Sequence, residues 1–411
     1  MKTHAQLVVS VASIGSALGL TLSTTSLAVG ANIGTLTTLA SFNGTSGLYP
    51  EAGLVRGTNG DFYGTTSAGG AFSDGTVFDI TPSGRLSTLT SFDSANGYLP
   101  YAGLVQGTNG DFYGTTSAGG ASAGGTVFQI TPTGALTTLT SFDSANGYLS
   151  YAGLVESTNG DFYGTTSAGG AFSNGTVFEI TPSGVLTTLA SFNGTNGANP
   201  RAGLVQGTNG DFYGTTSAGG AFSDGTVFKI TPAGVLTTLV SFNGTDGANP
   251  RAGLVQGTNG DFYGTTFAGG DSASGTVFEV TPTGVLTTLA SFNGTNGYLP
   301  SAGLIQGTNG DFYGTTAAGG DSANGTVFEI TPTGVLTTLA SFNGTNGYLP
   351  SAGLIQGTND DFYSTTAAGG ALNQGTVFEI QVVPEPDFEL GVWGAAGILA
   401  VRMLRKRRRA T

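Results

Sequence analysis

Short stretches rich in Val, Thr, Phe, Tyr, Ile and Leu alternate along the chain with turns of Gly, Asn, Ser and Pro. These residue types favour β-strands and tight turns, respectively. The first complete set of strands is predicted at Gly53–Gly57, Asp61–Thr66, Thr76–Thr81 and Leu86–Phe92. Asn59-Gly60, between the first two strands, is typical of a hairpin turn. Apolar and polar residues do not alternate cleanly, which indicates strands buried on both faces.

The four-strand pattern returns every 50 residues, and it does so seven times. The copies begin at Ala52, Ala102, Ala152, Ala202, Ala252, Ala302 and Ala352. The register is offset, because a strand of the fourth type, Leu36–Phe42, precedes the first copy, and the last copy ends at Ile380 without one.

A four-stranded repeat of about 50 residues is typical of a β-propeller blade. We predict an all-β, seven-bladed β-propeller over residues 35–381, in which the leading strand completes the last blade and removes the open edge. A β-solenoid is the alternative, although solenoids usually end in polar caps and not in complementary half-repeats.

The repeat resembles the bacterial GloVer tandem repeat, named for a Gly-Leu-Val stretch like Gly53-Leu54-Val55 here. The resemblance covers about residues 35–381 and implies a propeller-like repeat protein, with no established activity to carry over. The last copy departs from the pattern at two positions. Asp360 replaces the turn glycine and Ser364 replaces the glycine after Tyr363, so we expect the closing blade to be looser.

Composition limits the catalytic and metal sites that the chain can contain. The 411 residues include 72 Gly, no Cys and a single histidine, His4, which lies in a segment that we expect to be removed. The mature chain would then lack Ser-His-Asp and Cys-His catalysis as well as His- or Cys-ligated metal sites. We therefore expect no enzyme activity and no cofactor. Calcium bound by the repeated aspartates that begin at Asp61 is the alternative to a structural role in the turns.

The net charge of the repeats limits the partners that they can bind. Six of the 12 Lys and Arg residues lie beyond Val382 and one is Lys2, so the repeats carry five basic residues against 22 acidic ones. Such an acidic body should repel nucleic acid, and it should meet anionic membranes only through the C-terminal segment. We expect a monomer.

Residues 1–31 have the features of a secretory signal peptide. Lys2 is followed by an uncharged apolar stretch up to about Leu22, and small residues near Ala28 and Ala31 offer cleavage sites. An N-terminal membrane anchor is the alternative, but Ser and Gly interrupt the stretch and it is short for a span.

The C-terminus combines three elements. Pro384-Glu385-Pro386 is followed by an apolar stretch from Leu390 to Val401, predicted as a short helix, and then by a basic cluster. The cluster consists of Arg405, Lys406, Arg407, Arg408 and Arg409.

This order over residues 383–409 resembles the PEP-CTERM sorting signal of Gram-negative bacteria. The resemblance implies export, transient retention in the inner membrane and processing by an exosortase-type enzyme at Pro384-Glu385-Pro386. The final address would be the cell surface or an extracellular matrix, since proteins with this tail are associated with exopolysaccharide and biofilm. A plain tail anchor is the alternative.

Comparison of the seven copies locates the variable positions. They cluster in the loop between the second and third strands and in the crossover to the next copy, which the strand order places on one face. Loops that vary on a constant frame are frequent binding sites, although drift among recent duplicates is the alternative. The candidate ligand-face residues are Glu51, Tyr101, Tyr151, Arg201, Arg251, Tyr98, Tyr148, Tyr298, Tyr348, Phe72, Phe172 and Phe222.

The first five of these candidates occupy one repeated position just before the innermost strand, so we expect them to line the mouth of the central channel. Aromatic rings beside Asn, Asp and Ser suit stacking on sugars. We therefore predict a surface protein that binds, or forms part of, an extracellular polysaccharide matrix, with near-identical blades offering repeated weak sites. A carboxylate-based glycan-cleaving propeller and a purely structural surface protein are the alternatives.

Overall fold

The computed structural model describes residues 33–383, 388–391 and 400–403. It contains seven four-stranded antiparallel sheets arranged as the blades of a β-propeller. The first blade consists of β2 (Val55–Arg56), β3 (Phe62–Thr66), β4 (Thr76–Ile80) and β5 (Leu86–Ser91).

The next five blades repeat this set in the same order. Their strands are β6 (Val105–Gln106), β7 (Phe112–Thr116), β8 (Thr126–Ile130), β9 (Leu136–Ser141), β10 (Val155–Glu156), β11 (Phe162–Thr166), β12 (Thr176–Ile180), β13 (Leu186–Ser191), β14 (Val205–Gln206), β15 (Phe212–Thr216), β16 (Thr226–Ile230), β17 (Leu236–Ser241), β18 (Val255–Gln256), β19 (Phe262–Thr266), β20 (Thr276–Val280), β21 (Leu286–Ser291), β22 (Ile305–Gln306), β23 (Phe312–Thr316), β24 (Thr326–Ile330) and β25 (Leu336–Ser341).

The last blade is built from both ends of the repeat region. It orders β1 (Ile33–Ser41), β28 (Thr376–Val383), β27 (Phe362–Thr366) and β26 (Ile355–Gln356), so the N-terminal strand pairs antiparallel with the last strand of the repeats. The predicted seven-bladed fold and its closing strand are therefore confirmed, and the β-solenoid alternative is wrong.

The contacts between the last blade and the first are the same as those between other neighbouring blades. Thr65 donates its hydroxyl to the carbonyl of Ala102 in the next blade at 3.0 Å. Across the closure, Thr365 donates to the carbonyl of Ala52 at 3.2 Å. Repetition of this bond across the junction shows a closed ring.

The hydrophobic core lies between the blades. At the interface of the second and third blades the rings of Tyr113 and Phe162 stack with centroids 4.1 Å apart, and Phe142 meets Phe178 edge to face at 5.1 Å. All four side chains are almost fully buried. Large aromatic side chains supply most of the apolar area of such an interface, so the ring is held together by seven repeated aromatic clusters.

A glycine in the second strand makes room for this packing. A Cβ placed on Gly64 would lie 2.6 Å from Cζ of Phe78, so a larger residue would displace the buried ring. In the last blade Ser364 stands at this position, and its hydroxyl donates to the carbonyl of Gly353 at 2.9 Å. The serine is thus held by a hydrogen bond to the innermost segment of its own blade.

The hairpin turn of the last blade is less complete than the others. Asp360 adopts the left-handed conformation with φ of 65°, where Gly310 of the preceding blade has φ of 89°. Gly310 donates its N–H to the carbonyl of Gly307 at 2.9 Å. No corresponding bond from Asp360 is among the backbone hydrogen bonds of the described residues. A non-glycine residue is disfavoured in this conformation, which accounts for the weaker turn.

The C-terminal segment differs from its prediction. The described residues at the two ends of the predicted helix, Leu390–Val401, lie in two paired antiparallel strands, β29 (Phe388–Gly391) and β30 (Ala400–Met403). Three glycines between residues 391 and 397 weaken helix formation in this stretch. The hairpin lies outside the compact unit Asn32–Pro384.

Among the described residues no helix has the length and apolarity to cross a membrane. The predicted signal peptide, the Pro384-Glu385-Pro386 motif and the basic cluster Arg405–Arg409 lie outside the described residues.

Candidate functional site

The two variable segments of each repeat lie on one face of the propeller, which we call the crossover face. Leu48, in the crossover that leads into the first blade, donates its N–H to the carbonyl of Ala68 in the loop after β3 at 2.7 Å. Gly70 in the same loop donates back to Gly44 at 2.8 Å. These bonds join each crossover to the loop of the blade that follows it.

A sharp turn at the end of each crossover fixes the backbone that leads to the residue before the next Ala-Gly. Leu99 has φ of 56°, a left-handed conformation that non-glycine residues seldom adopt, and Pro100 follows it. The carbonyl of Leu99 accepts the N–H of Tyr101 at 3.0 Å. The equivalent residues in the other crossovers also have positive φ. Tyr101 and its counterparts therefore leave the turn in a common direction.

Seven glycines next to these residues form the innermost ring of backbone. A Cβ placed on Gly103 would lie 3.1 Å from the carbonyl oxygen of Gly53, and one on Gly53 would lie 3.4 Å from that of Gly353. The other five glycines show similar neighbour contacts from blade to blade. The residues two positions before these glycines therefore surround the axis. We call this set the axial ring; it consists of Glu51, Tyr101, Tyr151, Arg201, Arg251, Ser301 and Ser351.

One arc of the axial ring is acidic and aromatic. The centroids of the Tyr101 and Tyr151 rings lie 5.5 Å apart with an interplanar angle of 43°. Burial raises the pKa of the Glu51 carboxyl, and a hydrogen bond with Ser67 partly opposes that rise. Burial and the nearby Glu51 carboxylate also raise the pKa of Tyr101. Glu51, Tyr101 and Tyr151 thus occupy consecutive positions of the ring, and the two tyrosine rings are in contact.

The next arc is cationic. The guanidinium carbon of Arg201 lies 5.4 Å from the ring centroid of Tyr151, and that of Arg251 lies 3.6 Å from the ring centroid of Phe267. Nε of Arg251 also donates to Oδ1 of Asn249 at 3.3 Å. Burial and the neighbouring charge of Arg201 lower the pKa of Arg251. The two guanidinium groups are thus close enough to repel each other.

These arginines have no carboxylate partner within the part of the chain that the structure describes. The ion pair found there joins Lys229 to Asp211 at 3.5 Å, in the fourth blade. The next ring member, Ser301, has a buried Oγ with no hydrogen-bond partner among the residues that the structure describes. Ser351 donates its hydroxyl to the carbonyl of Leu349 at 3.5 Å.

Phe267 is a site residue that the sequence analysis missed. Four copies carry serine at this position, the fifth carries Phe267, and the last two carry alanine. This side chain lies beside the ring residue of its own blade, as the contacts of Ser67 with Glu51 and of Phe267 with Arg251 show. Comparison of the copies at this position would have revealed it, because a large aromatic residue stands there in one copy where the other six have serine or alanine.

The remaining predicted ligand-face residues lie elsewhere on the crossover face. Tyr98, Tyr148, Tyr298 and Tyr348 are half-buried in the crossovers, where their backbones pair with the following loops. Phe72, Phe172 and Phe222 project from loop tips, with 58–61% of their surface exposed. No ring contact joins either group to the axial ring among the described residues.

The opposite face carries a repeated network of Asn, Asp and Tyr. Asn59 accepts the N–H of Asp61 at 3.1 Å through its side-chain oxygen, and its amide donates to the Asp61 carboxylate at 3.0 Å and to the Tyr63 hydroxyl at 2.9 Å. The side chain that bonds the turn backbone is therefore that of the asparagine, and the aspartate carboxylate takes part in the turn by accepting the asparagine amide.

In several blades the aspartate of this network lies beside a second acid from the third strand. Burial and the nearby Glu179 carboxyl raise the pKa of Asp161, and the hydroxyl of Tyr163 donates to Glu179 at 2.6 Å. No group of three or more His, Cys, Asp or Glu residues able to hold a metal occurs in the described residues. Each acid pair is bonded within its own blade.

Shallow clefts separate neighbouring blades on this opposite face. One of about 220 Å³ is lined by Asn109, Glu156 and Asp161, and another of about 230 Å³ is lined by their counterparts around Asn259 and Asp311. Glu156 already accepts the N–H and the hydroxyl of Thr108, at 3.1 and 2.9 Å. The polar groups of this cleft therefore tie blades together, whereas the charges of the axial ring stay unpaired.

Comparison with known proteins addresses family and fold. A family model described as the Gloeobacter/Verrucomicrobia repeat matches residues 15–222 and 203–387. No curated protein matches the sequence. A streptogramin B lyase structure is similar with a TM-score of 0.60 at 15% identity, covering 86% of this chain and 98% of the lyase.

Two further structures have the same fold at low sequence identity. Virginiamycin B lyase from Staphylococcus aureus gives a TM-score of 0.57 at 14% identity, with 85% of this chain and 100% of that chain covered. The extracellular domain of a putative one-component system from B. thetaiotaomicron gives a TM-score of 0.54 at 10% identity, with 84% of this chain and 39% of that chain covered. At these identities the likeness is one of fold alone.

Proposed function

The chain belongs to the Gloeobacter/Verrucomicrobia repeat family, and on that basis we propose that it is an exported, non-enzymatic propeller that binds polysaccharide at its axial ring. The observation that carries the proposal is a series of five neighbouring ring positions, in which the Tyr101 ring contacts Tyr151, Arg201 lies over Tyr151, and Glu51 and Arg251 occupy the two ends. The frame beneath this row is nearly identical in every blade, so the differences between blades converge on one place.

The chemistry of the row suits a sugar. Tyr101 and Tyr151 offer two neighbouring rings, each half-buried and with polar groups beside it. Aromatic side chains of this kind provide apolar contact area together with a hydrogen-bonding tip. The near-identity of the blades had suggested repeated weak sites, whereas the axial ring provides a single composite site per molecule.

Binding is favoured over cleavage by the position of the acids. Glycan hydrolysis needs two carboxyl groups facing one bond, and Glu51 is the sole acid among the seven axial-ring residues. The close acid pairs lie on the opposite face, where Tyr163 and its counterparts donate to one of the two carboxyl groups. Those carboxyl groups therefore have a structural task in the folded blade.

The proposed cellular location is inferred from the predicted signal peptide and the C-terminal sorting segment. A signal peptide over residues 1–31 would export the chain, and the segment 383–409 would hold it in the inner membrane of a Gram-negative bacterium. An exosortase-type enzyme would then process it at Pro384-Glu385-Pro386 and release the propeller to the cell surface or matrix. The acidic repeats support a partner other than nucleic acid.

The proposal is tested by affinity electrophoresis of the full chain through gels containing bacterial exopolysaccharides, with reducing-end release measured in parallel. We expect retardation without release, and loss of retardation in Tyr101→Ala/Tyr151→Ala. The matched control is Tyr98→Ala/Tyr148→Ala, which removes two tyrosines of the same blades outside the axial ring and should be retarded normally. Turnover of any polysaccharide would contradict the non-enzymatic assignment and favour the glycan-cleaving alternative.

A further inference from the structure

Two of the five basic residues in the repeats occupy adjacent positions of the axial ring. We infer that the axial ring recognises an acidic polysaccharide through the carboxylate of a uronic acid unit, held by Arg201 and Arg251. This inference rests on the proposed function and specifies its ligand.

Charge distribution is the first argument. The repeats carry 22 acidic residues, and Lys229 shows how a basic residue among them can be neutralised, since it pairs with Asp211 at 3.5 Å. Arg201 and Arg251 instead lie next to each other, with no carboxylate partner among the residues described. Two neighbouring like charges disfavour the folded state unless an anion binds between them. The arrangement is therefore suited to an anionic ligand.

Orientation of the guanidinium groups is the second argument. Arg251 lies over the ring of Phe267 at 3.6 Å and is fixed laterally by Asn249. Arg201 lies near the ring of Tyr151 at 5.4 Å. Packing on an aromatic face leaves the edge of a guanidinium free to donate, and its planar fork matches a carboxylate better than a single point charge does.

The flanking ring members set the direction of the ligand. Ser301, next in the ring after Arg251, is uncharged, so no carboxylate of the axial ring adjoins Arg251. Glu51, at the other end of the row, repels an anion. A sugar lying on Tyr101 and Tyr151 would therefore direct its carboxylate toward Arg201 and Arg251. Recognition thus requires a sugar that carries a carboxylate on one edge of its ring.

The test uses the full chain and two forms of one ligand, an oligogalacturonide and its methyl ester, which share a backbone and differ in charge. Isothermal titration should give binding to the acid at least about tenfold tighter than to the ester, as expected for a charge-assisted hydrogen bond. Arg201→Gln/Arg251→Gln should abolish this preference. The matched control, Arg85→Gln, changes an arginine at a turn on the opposite face and should keep it.

The outcomes separate the two proposals. Equal affinity for acid and ester would overturn the uronate assignment and leave polysaccharide binding intact. Failure of both ligands and of every exopolysaccharide would overturn the proposed function as well. Competition by inorganic sulfate as strong as that by the oligosaccharide would reduce the ring to a general anion site and contradict recognition of a sugar acid. Circular dichroism of each variant ensures that loss of binding reflects the site.

Discussion

At the scale of single residues, one position of the third strand differs in charge among the seven blades. The residue that faces the turn aspartate changes from blade to blade. Gln129 donates to Asp111 at 2.6 Å and Lys229 pairs with Asp211 at 3.5 Å, whereas Glu179 and Glu279 place a second carboxyl beside Asp161 and Asp261. The residues in this series are Asp79, Gln129, Glu179, Lys229, Glu279, Glu329 and Glu379.

The acid pairs predict a pH-dependent stability. Burial and Glu179 raise the pKa of Asp161, so the folded state binds that proton more tightly than the unfolded chain. The contribution of Asp161 to stability is therefore fully present below its unfolded value and falls as the pH rises through the raised pKa. Glu179→Gln should stabilise the protein at pH 7 by about 0.5 kcal/mol, the size typical of an exposed charge pair.

Urea unfolding at pH 7 and pH 3.5 measures this effect. The gain from Glu179→Gln should shrink at pH 3.5, because protonation of Asp161, whose pKa is raised, removes the repulsion between like charges. The reverse change in the second blade, Gln129→Glu, is the matched control and should destabilise at pH 7. A gain of equal size at both pH values would show that the effect of Glu179 does not arise from charge.

Burial of the tyrosine hydroxyl in the same network has a separate consequence. Burial and the hydrogen bond with Glu179 raise the pKa of Tyr163 to about 12. A tyrosine with a raised folded pKa stays neutral in alkali longer than the unfolded chain does, so its contribution persists below pH 10 and is lost as the pH rises toward 12. Spectrophotometric titration of Tyr163→Phe should lack one late-ionising tyrosine; loss of an early-ionising one instead would contradict the assignment.

Residue types could be predicted at the axial ring, but their contacts could not. The position before the innermost strand was recognisable because it varies among copies and precedes a constant Ala-Gly. Its pairing with Phe267 depends on the path of a neighbouring strand, which a comparison of single positions does not reveal. The division of roles between Asn59 and Asp61 has a similar cause, since either side chain can bond a turn.

At the scale of elements, the closing strand β1 decides whether the molecule is a ring. Thr37 pairs with Glu379 across the closure, and Thr187 pairs with Glu179 at the same place within the third blade. The two pairs have the same local geometry and differ in the length of chain between them. Their comparison therefore isolates the effect of closure.

A disulfide at each pair should stabilise by different amounts. In the loop-entropy account, Thr37→Cys/Glu379→Cys should raise the free energy of unfolding by about 5 kcal/mol, and Thr187→Cys/Glu179→Cys by about half as much. Urea unfolding of oxidised and reduced forms measures both, and the natural chain has no cysteine to interfere. Equal stabilisation by the two disulfides would argue against closure of the ring by β1.

Strand positions followed from the sequence more closely than strand lengths. β3, β4 and β5 begin within one residue of their predicted starts, whereas the innermost strand is reduced to Val55–Arg56. Gly53 takes part in the axial backbone ring, and Gly57 belongs to the turn that ends at Asp61. The apolar C-terminal stretch was predicted as a helix from its hydrophobicity, which does not distinguish a helix from strands, and its described ends lie in the strands Phe388–Gly391 and Ala400–Met403.

At the scale of the whole molecule, a nearly sevenfold frame carries an asymmetric ring of side chains. A closed propeller presents one axis, so substitutions at a single repeated position meet there even though they are 50 residues apart in sequence. The repeat count and the offset strand were sufficient to predict the ring. The sequence could not show that the charges at its mouth are unpaired, because pairing depends on distances.

The predicted address is tested by processing in cells. Replacing Pro384-Glu385-Pro386 with Ala should leave an uncleaved precursor in the inner membrane of an exosortase-containing host, since the motif would no longer be recognised. Replacing Arg405–Arg409 with Gln serves as a comparison that weakens retention and keeps the motif. Unchanged release of the first variant into the medium would contradict the sorting assignment.

The stoichiometry of saccharide binding tests the central claim most directly. Isothermal titration of the full chain with a short oligosaccharide from a polysaccharide that it retains counts the sites per molecule. A single axial site predicts one bound ligand per chain and none after Tyr101→Ala/Tyr151→Ala. Several equivalent sites, or one site that survives these substitutions, would contradict it and place binding on the repeated loops.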